Sequence, residues 1–483
     1  MSPTVARWRG HWAPATIRVS ASQAVGGSPK PSGGFRHPRA ARNDMTTRQM
    51  LIGMVFGNGY GSQAGAWRWP GVDATNFTNF DNLVRYAQQA ERGKFQFLFM
   101  PDFPALKADI ATDAQHVHME PMMTLAAVAR GTERIGLVAT GSTTFTEPFN
   151  LARQFKALDL MSRGRAGWNA VPTSDPMVAA NYGRDLPPRA EKYERLHEVI
   201  QLVQALWGSW GRDAWLHDKE AGLFANLSEI RPVNLRGQHV SSTGPLVLPP
   251  SEQGQPVIFQ AGGGEQGQEV AGRYASGVIG AVFTIEEARD ERMALRAAAE
   301  RAGRDPDEVK FFAGLMTTIA ADRRAGLNRR IAMNGNVLAQ SLGYLGRLLG
   351  LPLKHAPLDE PLSPEQLAQA KPSPYDPRSE NALKIAKEGW TLRDVLAHGV
   401  IDYHPTVVGP PVEVANHMQK WFEAEAVDGF WLCPDVFEDG LPPLVDEVIP
   451  LLQDRGLFHW DYEGTTLRDH LDVPGQYGRD PRL

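Results

Sequence analysis

The chain has 483 residues, 42% hydrophobic and 22% charged, enough to bury one large core or two ordinary ones. A formal charge of −5 and a pI of 6.2 give no general reason to seek nucleic acid or an anionic membrane as partner. A single cysteine, Cys433, excludes an internal disulfide framework, and no apolar run approaches the roughly 18 residues of a membrane helix, so the expectation is a water-soluble, cytoplasmic protein.

Residues 1–44 are rich in Arg, Gly, Pro and Ser and carry no acid before Asp44. They lack the apolar stretch of a secretory signal and are expected to be a disordered extension, with the functional chain beginning near Met45 or Met50. From there the pattern alternates. "MLIGMVFG" is a short buried-strand run, "NLVRYAQQAERGKF" has helical spacing stopped by Gly93, and "FQFLFMPD" is a strand ending in a carboxylate. "PMMTLAAVARGTERIGLVATGSTT" and "LARQFKALDLMSRGRAGWNAVPTS" each read as helix, turn, strand and small-polar loop. "RAEKYERLHEVIQLVQALWGSW" is a long amphipathic helix, "QPVIFQAGGG" a strand with a glycine loop, and the chain closes on a helix–strand–helix pattern. This βαβα order predicts a parallel sheet, either a closed barrel or an open doubly wound sheet.

Two stretches break the rhythm. Residues 206–256 are Trp-, Pro- and Gly-rich and are expected to form excursions over a strand's end. Residues 328–405 are too Pro-rich and polar for a core layer and are the candidate lid.

In either parallel architecture ligands lie at the carboxyl ends of the strands. The residues there are Asn58, Asp102, Thr140 with Ser142 and Thr143, Asn169, and Gly262 to Gly264. Nearly all are small neutral hydrogen-bonders, with no nucleophile–base pair and no carboxylate dyad. His116 and His118 stand two apart with Glu120 following, but no third ligand group has recognisable spacing, so no metal is expected and an exposed polar loop is the reading. The glycine run opens a helix and is either a phosphate-holding turn or simply a tight βα turn. Arg189 and Tyr193, four apart at a helix start, share a face that suits a phosphate monoester or plain solvent. Asn169, a flat amide beside Trp168, suits a planar heteroaromatic ring such as a flavin or deazaflavin; equally, Trp168 is core and Asn169 caps a turn.

The ordered blocks "GAWRWP", "ERGKFQFLFMPD", "ERIGLVATGSTTFTEPFNLARQFKALDLMSRGRAGWNAVPTS", "NYGRDLPPRAEKYERLHEVIQLVQALWGSW", "GPLVLPPSEQGQPVIFQAG", "VVGPPVEVANHMQKWFEAEAVDGFWL" and "GLFHWDYEGTTLRDHL" resemble the bacterial-luciferase-like flavin monooxygenases. The similar branch is that of the nitrilotriacetate, EDTA and dibenzothiophene-sulfone monooxygenases and the pristinamycin synthase large subunit. The resemblance spans about Met50 to Leu471. It implies an α/β fold, a TIM (β/α)8 barrel with long insertions formed by residues 45–483 as a single domain, and a homodimer or homotetramer. It implies a two-component FMNH2-dependent monooxygenase that uses O2 through a flavin C4a-peroxide to oxidise a small organic molecule, an organosulfur or amine compound among the options. A separate NAD(P)H:flavin reductase would supply the FMNH2. The chemistry is then carried by the flavin, and the protein binds it, shields it from water and places the substrate.

By the same resemblance Asp102 and Thr140 contact the flavin and Tyr193 its phosphate. With Asn169, Arg189 and the amides of Gly263 and Gly264 they make the expected FMN site; Asn58 and Trp67 are expected on the substrate side. Three positions depart from the pattern: Arg189 where the family commonly has histidine, Gly264 where it has serine, and Pro172 before Thr173. Related barrels also host deazaflavin-dependent hydride transfer, and a non-catalytic flavin-binding protein is the third alternative.

Overall fold

The computed structural model describes residues 48–107 and 109–478; the 1–44 extension lies outside them. Eight parallel strands make the frame: β1 (Leu51–Val55), β2 (Phe97–Met100), β3 (Gly136–Ser142), β4 (Ala166–Val171), β5 (Val257–Ala261), β6 (Gly277–Gly280), β7 (Lys310–Ile319) and β8 (Gly429–Pro434). Each pairs with the next, and β8 returns to β1 with Leu51 opposite Gly429, so the sheet closes. The result is a (β/α)8 barrel, and the open doubly wound sheet is excluded.

Helices between the strands cover the outside, sealed by fully buried side chains such as Phe155, Trp168 and Trp207. Inside, Phe97, Phe259 and Phe312 meet with Phe97 edge-on to the other two at 5.0 and 4.9 Å. Such interlocking of large rings needs small neighbours: a Cβ at position 277 would lie 2.3 Å from the Phe259 ring.

The amino end of the barrel is stoppered by the helix Leu467–His470. Leu467 is fully buried, its amide donates to the Gly164 carbonyl at 3.0 Å, and its side chain fills the space a Cβ on Gly167 or Gly136 would need. The glycines of "GRAGWN" thus make room for the chain's own C-terminal segment as well as for the helices outside. Trp168 points outward and is core, its Nε1 donating to the Gly141 carbonyl at 3.1 Å.

Both irregular stretches have structure. The first, after the helix Arg189–Trp207, holds two hairpins, Trp215–Asp218 with Leu223–Ala225 and Leu235–Arg236 with Ser241–Ser242. The second hairpin packs on the first half of that helix, where Arg195 donates to both the His239 and Thr143 carbonyls, and the stretch returns to the amino ends of the strands by way of Gln253, whose Nε2 donates to the Ala166 carbonyl. The second differs from the sequence expectation. It is mainly helical, beginning with Arg323–Leu349 and continuing through Pro364–Gln369, Arg378–Ala386 and Leu392–Ala397. It also has its own apolar core, in which Leu345, Leu349, Ala382 and Val395 are fully buried. The prolines lie largely in the connections, where they cost no helix hydrogen bonds. A short strand, Thr406–Gly409, then joins the far half of β7. No described helix is long and apolar enough to cross a membrane.

Candidate active site

A cavity of about 890 Å³ opens at the carboxyl ends of the strands, within the roughly 300–1,000 Å³ typical of cofactor and small-molecule sites. Asp102, Thr140, Asn169, Arg189, Tyr193 and Gly263, distant in sequence, all line it.

The wall made by β3 and β4 is polar and tied down. Alternation sends Trp168 outward and Asn169 inward. Asn169 Nδ2 donates to Thr140 Oγ1 at 2.9 Å, while its Oδ1 is buried with no partner. Beyond it, Ser142 Oγ lies 2.7 Å from Thr173 Oγ1, and Thr173 N donates to Thr144 Oγ1 at 3.1 Å. Pro172 lacks an N–H, and the loop around it is held by these hydroxyls.

On the next side stands the start of the helix Arg189–Trp207. The Arg189 guanidinium lies 5.3 Å from the centre of the Tyr193 ring and its Nε donates to Gln266 Oε1 at 2.7 Å. Lys192, one turn on, faces the same cavity and donates to the Thr173 carbonyl at 3.1 Å. Burial, followed by repulsion from Arg189, lowers its pKa. Facing these cations is the glycine turn after β5. A Cβ on Gly263 or Gly264 would meet nothing within 4 Å, so both open onto empty space. Gly264 is the N-cap of the helix Glu265–Tyr274 at φ 80° and does not itself line the cavity.

Asp102 lies beyond the end of β2, exposed to the cavity. The surrounding walls, and then repulsion from Glu120, push its carboxyl up to about 6, against a smaller opposite effect of the Phe103 amide.

Opposite, the wall is aromatic: Phe99 packs against Trp431 at 5.5 Å, and Trp431 against His404 at 5.2 Å.

Two expected substrate residues lie elsewhere. Asn58 is buried and accepts from the amides of Tyr60 and Gly61, fixing the turn after β1. Trp67 donates to the Thr112 carbonyl and packs in a separate cluster with Tyr60 and Met333. Nor is the His116–His118 stretch an exposed loop: His118 stacks on Phe77 at 3.9 Å, and both histidines are half-buried. Cys433 is buried inside the barrel, and burial raises its thiol well above the usual range.

The sequence reading missed Lys192, although its i+3 spacing from Arg189 was a usable signal. It also missed Trp431, which lies within the apolar run of β8, and Tyr403 and His404, because nothing local shows that the end of the insertion returns to the barrel mouth.

Fold and cavity together define a (β/α)8-barrel enzyme whose site combines a cationic, glycine-lined end with a flat amide wall. Residues 53–428 match the luciferase-like monooxygenase family model. The chain is 35% identical to N-acetyl-S-(2-succino)cysteine monooxygenase of Bacillus subtilis (strain 168), over 89% of this chain and 98% of that one. It is 34% identical to nitrilotriacetate monooxygenase component A of Aminobacter aminovorans, over 88% and 97%. Among solved structures, EDTA monooxygenase from Chelativorans sp. BNC1 superimposes with a TM-score of 0.75 at 27% identity, over 88% of this chain and 99% of that chain. The chain belongs to the luciferase-like monooxygenases and is a flavin-dependent monooxygenase of that family.

Proposed function

We propose that the protein binds reduced FMN in this cavity and uses O2 to oxidise a small organic molecule, as the oxygenase half of a two-component system. The observation that carries the reading is the pairing of two complementary ends in one cavity. Arg189, Lys192 and the open face of Gly263 meet the needs of a phosphate monoester. The unpartnered Asn169 Oδ1 meets those of a ring N–H.

Each residue then has a defined task. Arg189 and Lys192 supply positive charge, Tyr193 a hydroxyl, and the amides at the start of the helix Glu265–Tyr274 the dipole end. The guanidinium takes over anion binding from the family histidine at position 189, and the backbone at Gly264 does so without the family serine hydroxyl. Asn169, oriented by Thr140, holds the ring edge, while Phe99 and Trp431 exclude water from the reacting region. Bound reduced FMN supplies the electrons that activate O2, so the protein itself provides no acid–base dyad.

A separate NAD(P)H:flavin reductase would supply the FMNH2, and the lone buried cysteine suits a reducing, cytoplasmic setting. The helical insertion, which brings Tyr403 and His404 to the cavity, is the element proposed to cover it. Pairing of subunits into a dimer or tetramer follows by analogy with the family.

The deciding experiment is anaerobic titration with reduced FMN, followed by turnover of candidate organosulfur and amine substrates under ¹⁸O2. Tight FMNH2 binding and one labelled oxygen atom per product are expected. Failure to bind FMNH2, or binding of reduced deazaflavin in its place with hydride transfer, would overturn the reading.

A further inference from the structure

The wall opposite Asn169 contains a second group of unsatisfied polar atoms. His404 is 3% exposed, and neither of its ring nitrogens has a hydrogen-bond partner. Trp431 lies nearly perpendicular to it, with ring centres 5.2 Å apart, and its Nε1 is equally without a partner. Both residues line the cavity. Buried donors are almost always satisfied in folded proteins, so two adjacent orphans on one cavity wall mark a place where a ligand completes the hydrogen bonding.

The helical insertion delivers His404 to this wall. The residue lies between the helix Leu392–Ala397 and the strand Thr406–Gly409, and its ring occupies the space above Gly314 of β7. A Cβ at position 314 would lie 2.3 Å from His404 Nδ1, so glycine there is what admits the imidazole.

The electrical character of the wall is also defined. The neighbouring carboxylate, Asp402, is held by Arg330 and by the Thr406 hydroxyl. Burial pushes the His404 pKa down to about 4, so near neutral pH the ring is uncharged and offers one donor and one acceptor. Among the described residues, the basic side chains lining the cavity are Arg189 and Lys192, both on the helix where the flavin phosphate is proposed to sit. A carboxylate placed against His404 and Trp431 would lose its hydration with no cation to replace it. An apolar or aromatic body would gain burial and ring contacts with Phe99 and Trp431.

We infer that His404 and Trp431 form the substrate subsite, and that it takes an uncharged molecule with an apolar body and one neutral acceptor group, as in a sulfone, carbonyl or ether, rather than a polycarboxylate. This rests on the flavin reading of the same cavity.

The test uses the full chain loaded with oxidised FMN and labelled with ¹³C-histidine. The His404 resonance is assigned by its loss in His404→Gln. Methyl phenyl sulfone is the neutral probe and nitrilotriacetate the anionic one. The sulfone is expected to shift the His404 resonance, to bind at least tenfold more weakly to His404→Phe, and to recover part of that loss in His404→Gln. FMN affinity should stay within twofold in both variants, and nitrilotriacetate should leave the resonance unmoved.

An unmoved His404 resonance at saturating sulfone overturns the inference, as do tighter binding of nitrilotriacetate at this wall and an equal loss of FMN in the variants. Failure of the parent chain to bind either oxidised or reduced FMN overturns the flavin reading as well, whereas flavin binding with an indifferent His404 overturns this inference alone. The resonance shift is measured on the parent chain, so the test stands even if His404→Phe does not fold.

Discussion

Asn169 and Thr140 stand on adjoining strands and share one hydrogen bond, Nδ2 to Oγ1 at 2.9 Å, which fixes the amide so that its buried Oδ1 is left unpartnered. Position 169 is thereby oriented before any ligand arrives. Asn169→Ala removes the acceptor and is expected to weaken FMN binding about tenfold, the effect of one neutral hydrogen bond worth about 1.4 kcal/mol. Flavin fluorescence titration measures it. An unchanged affinity would mean that the orphaned oxygen faces something other than the ring.

Arg189 and Lys192 are assigned to the phosphate, so their removal should discriminate between flavins. Each charge-assisted contact contributes about 1.5–3 kcal/mol. Arg189→Ala and Lys192→Ala should each lower FMN affinity roughly 10- to 100-fold while leaving the weaker binding of riboflavin, which has no phosphate, nearly as it was. Parallel losses for both flavins would remove the phosphate assignment.

How far the sequence shows these relationships depends on their range. The runs around Leu51–Val55, Phe97–Met100 and Ala166–Val171 are legible because continuous apolar stretches between turn residues mark buried parallel strands. The strand Gly277–Gly280 has only Val278 and Ile279 between two glycines, and Lys310–Ile319 is interrupted by Gly314, so neither stands out from its surroundings. Arg189 and Tyr193 were found because one helix turn brings them together. His404 and Trp431 meet only because the insertion folds back over β7. Asn58 is engaged in the turn after β1, because a small polar residue after a first strand serves a turn as readily as a ligand. The Pro-rich composition of residues 328–405 concealed a set of leucines at helical spacing that close a core of their own.

The two central glycines of the turn after β5 should separate strain from occupancy. Gly264 has φ 80° and ψ 168°, a conformation open essentially to glycine alone and costing another residue about 1–3 kcal/mol. Gly264→Ala is therefore expected to lower thermal stability. Gly263 is not so constrained, and a Cβ there would enter open space. Gly263→Ala should fold with the parent's melting temperature but bind FMN more weakly, because the methyl group occupies room assigned to the phosphate. Calorimetry and flavin titration on both variants decide it; normal FMN affinity in Gly263→Ala would place the phosphate elsewhere.

Asp102 gives the site a pH dependence whose sign is fixed. Its carboxyl is raised from 3.8 to about 6, chiefly by burial, so the folded chain holds that proton more tightly than the unfolded chain. Its stabilising contribution is therefore fully present below 3.8 and is lost as pH rises toward 6. Asp102→Asn abolishes the titration. The melting temperature of the variant relative to the parent should rise through this window and level off above it. A difference that stays flat between about pH 4 and 7 would show that Asp102 titrates normally.

The stopper at the amino end yields the last prediction, one that separates stability from function. Leu467 reaches into the barrel floor against Gly136 and Gly167, far from the carboxyl-end cavity. Leu467→Ala leaves a void among groups too tightly packed to close it, and about 2–5 kcal/mol of stability should be lost. Enlarging the facing residue should act in the same direction: a side chain at position 167 would crowd Val138, Leu467 and Phe259 at 3.0–3.4 Å. Because β3 and β4 carry Thr140 and Asn169 at their other ends, a rigid barrel should confine the damage to the floor. Denaturant unfolding should then show the loss in Leu467→Ala while FMN affinity at 25 °C stays within about twofold of the parent. A matching collapse in flavin affinity would mean that the stopper sets the register of the strands on which the site is built.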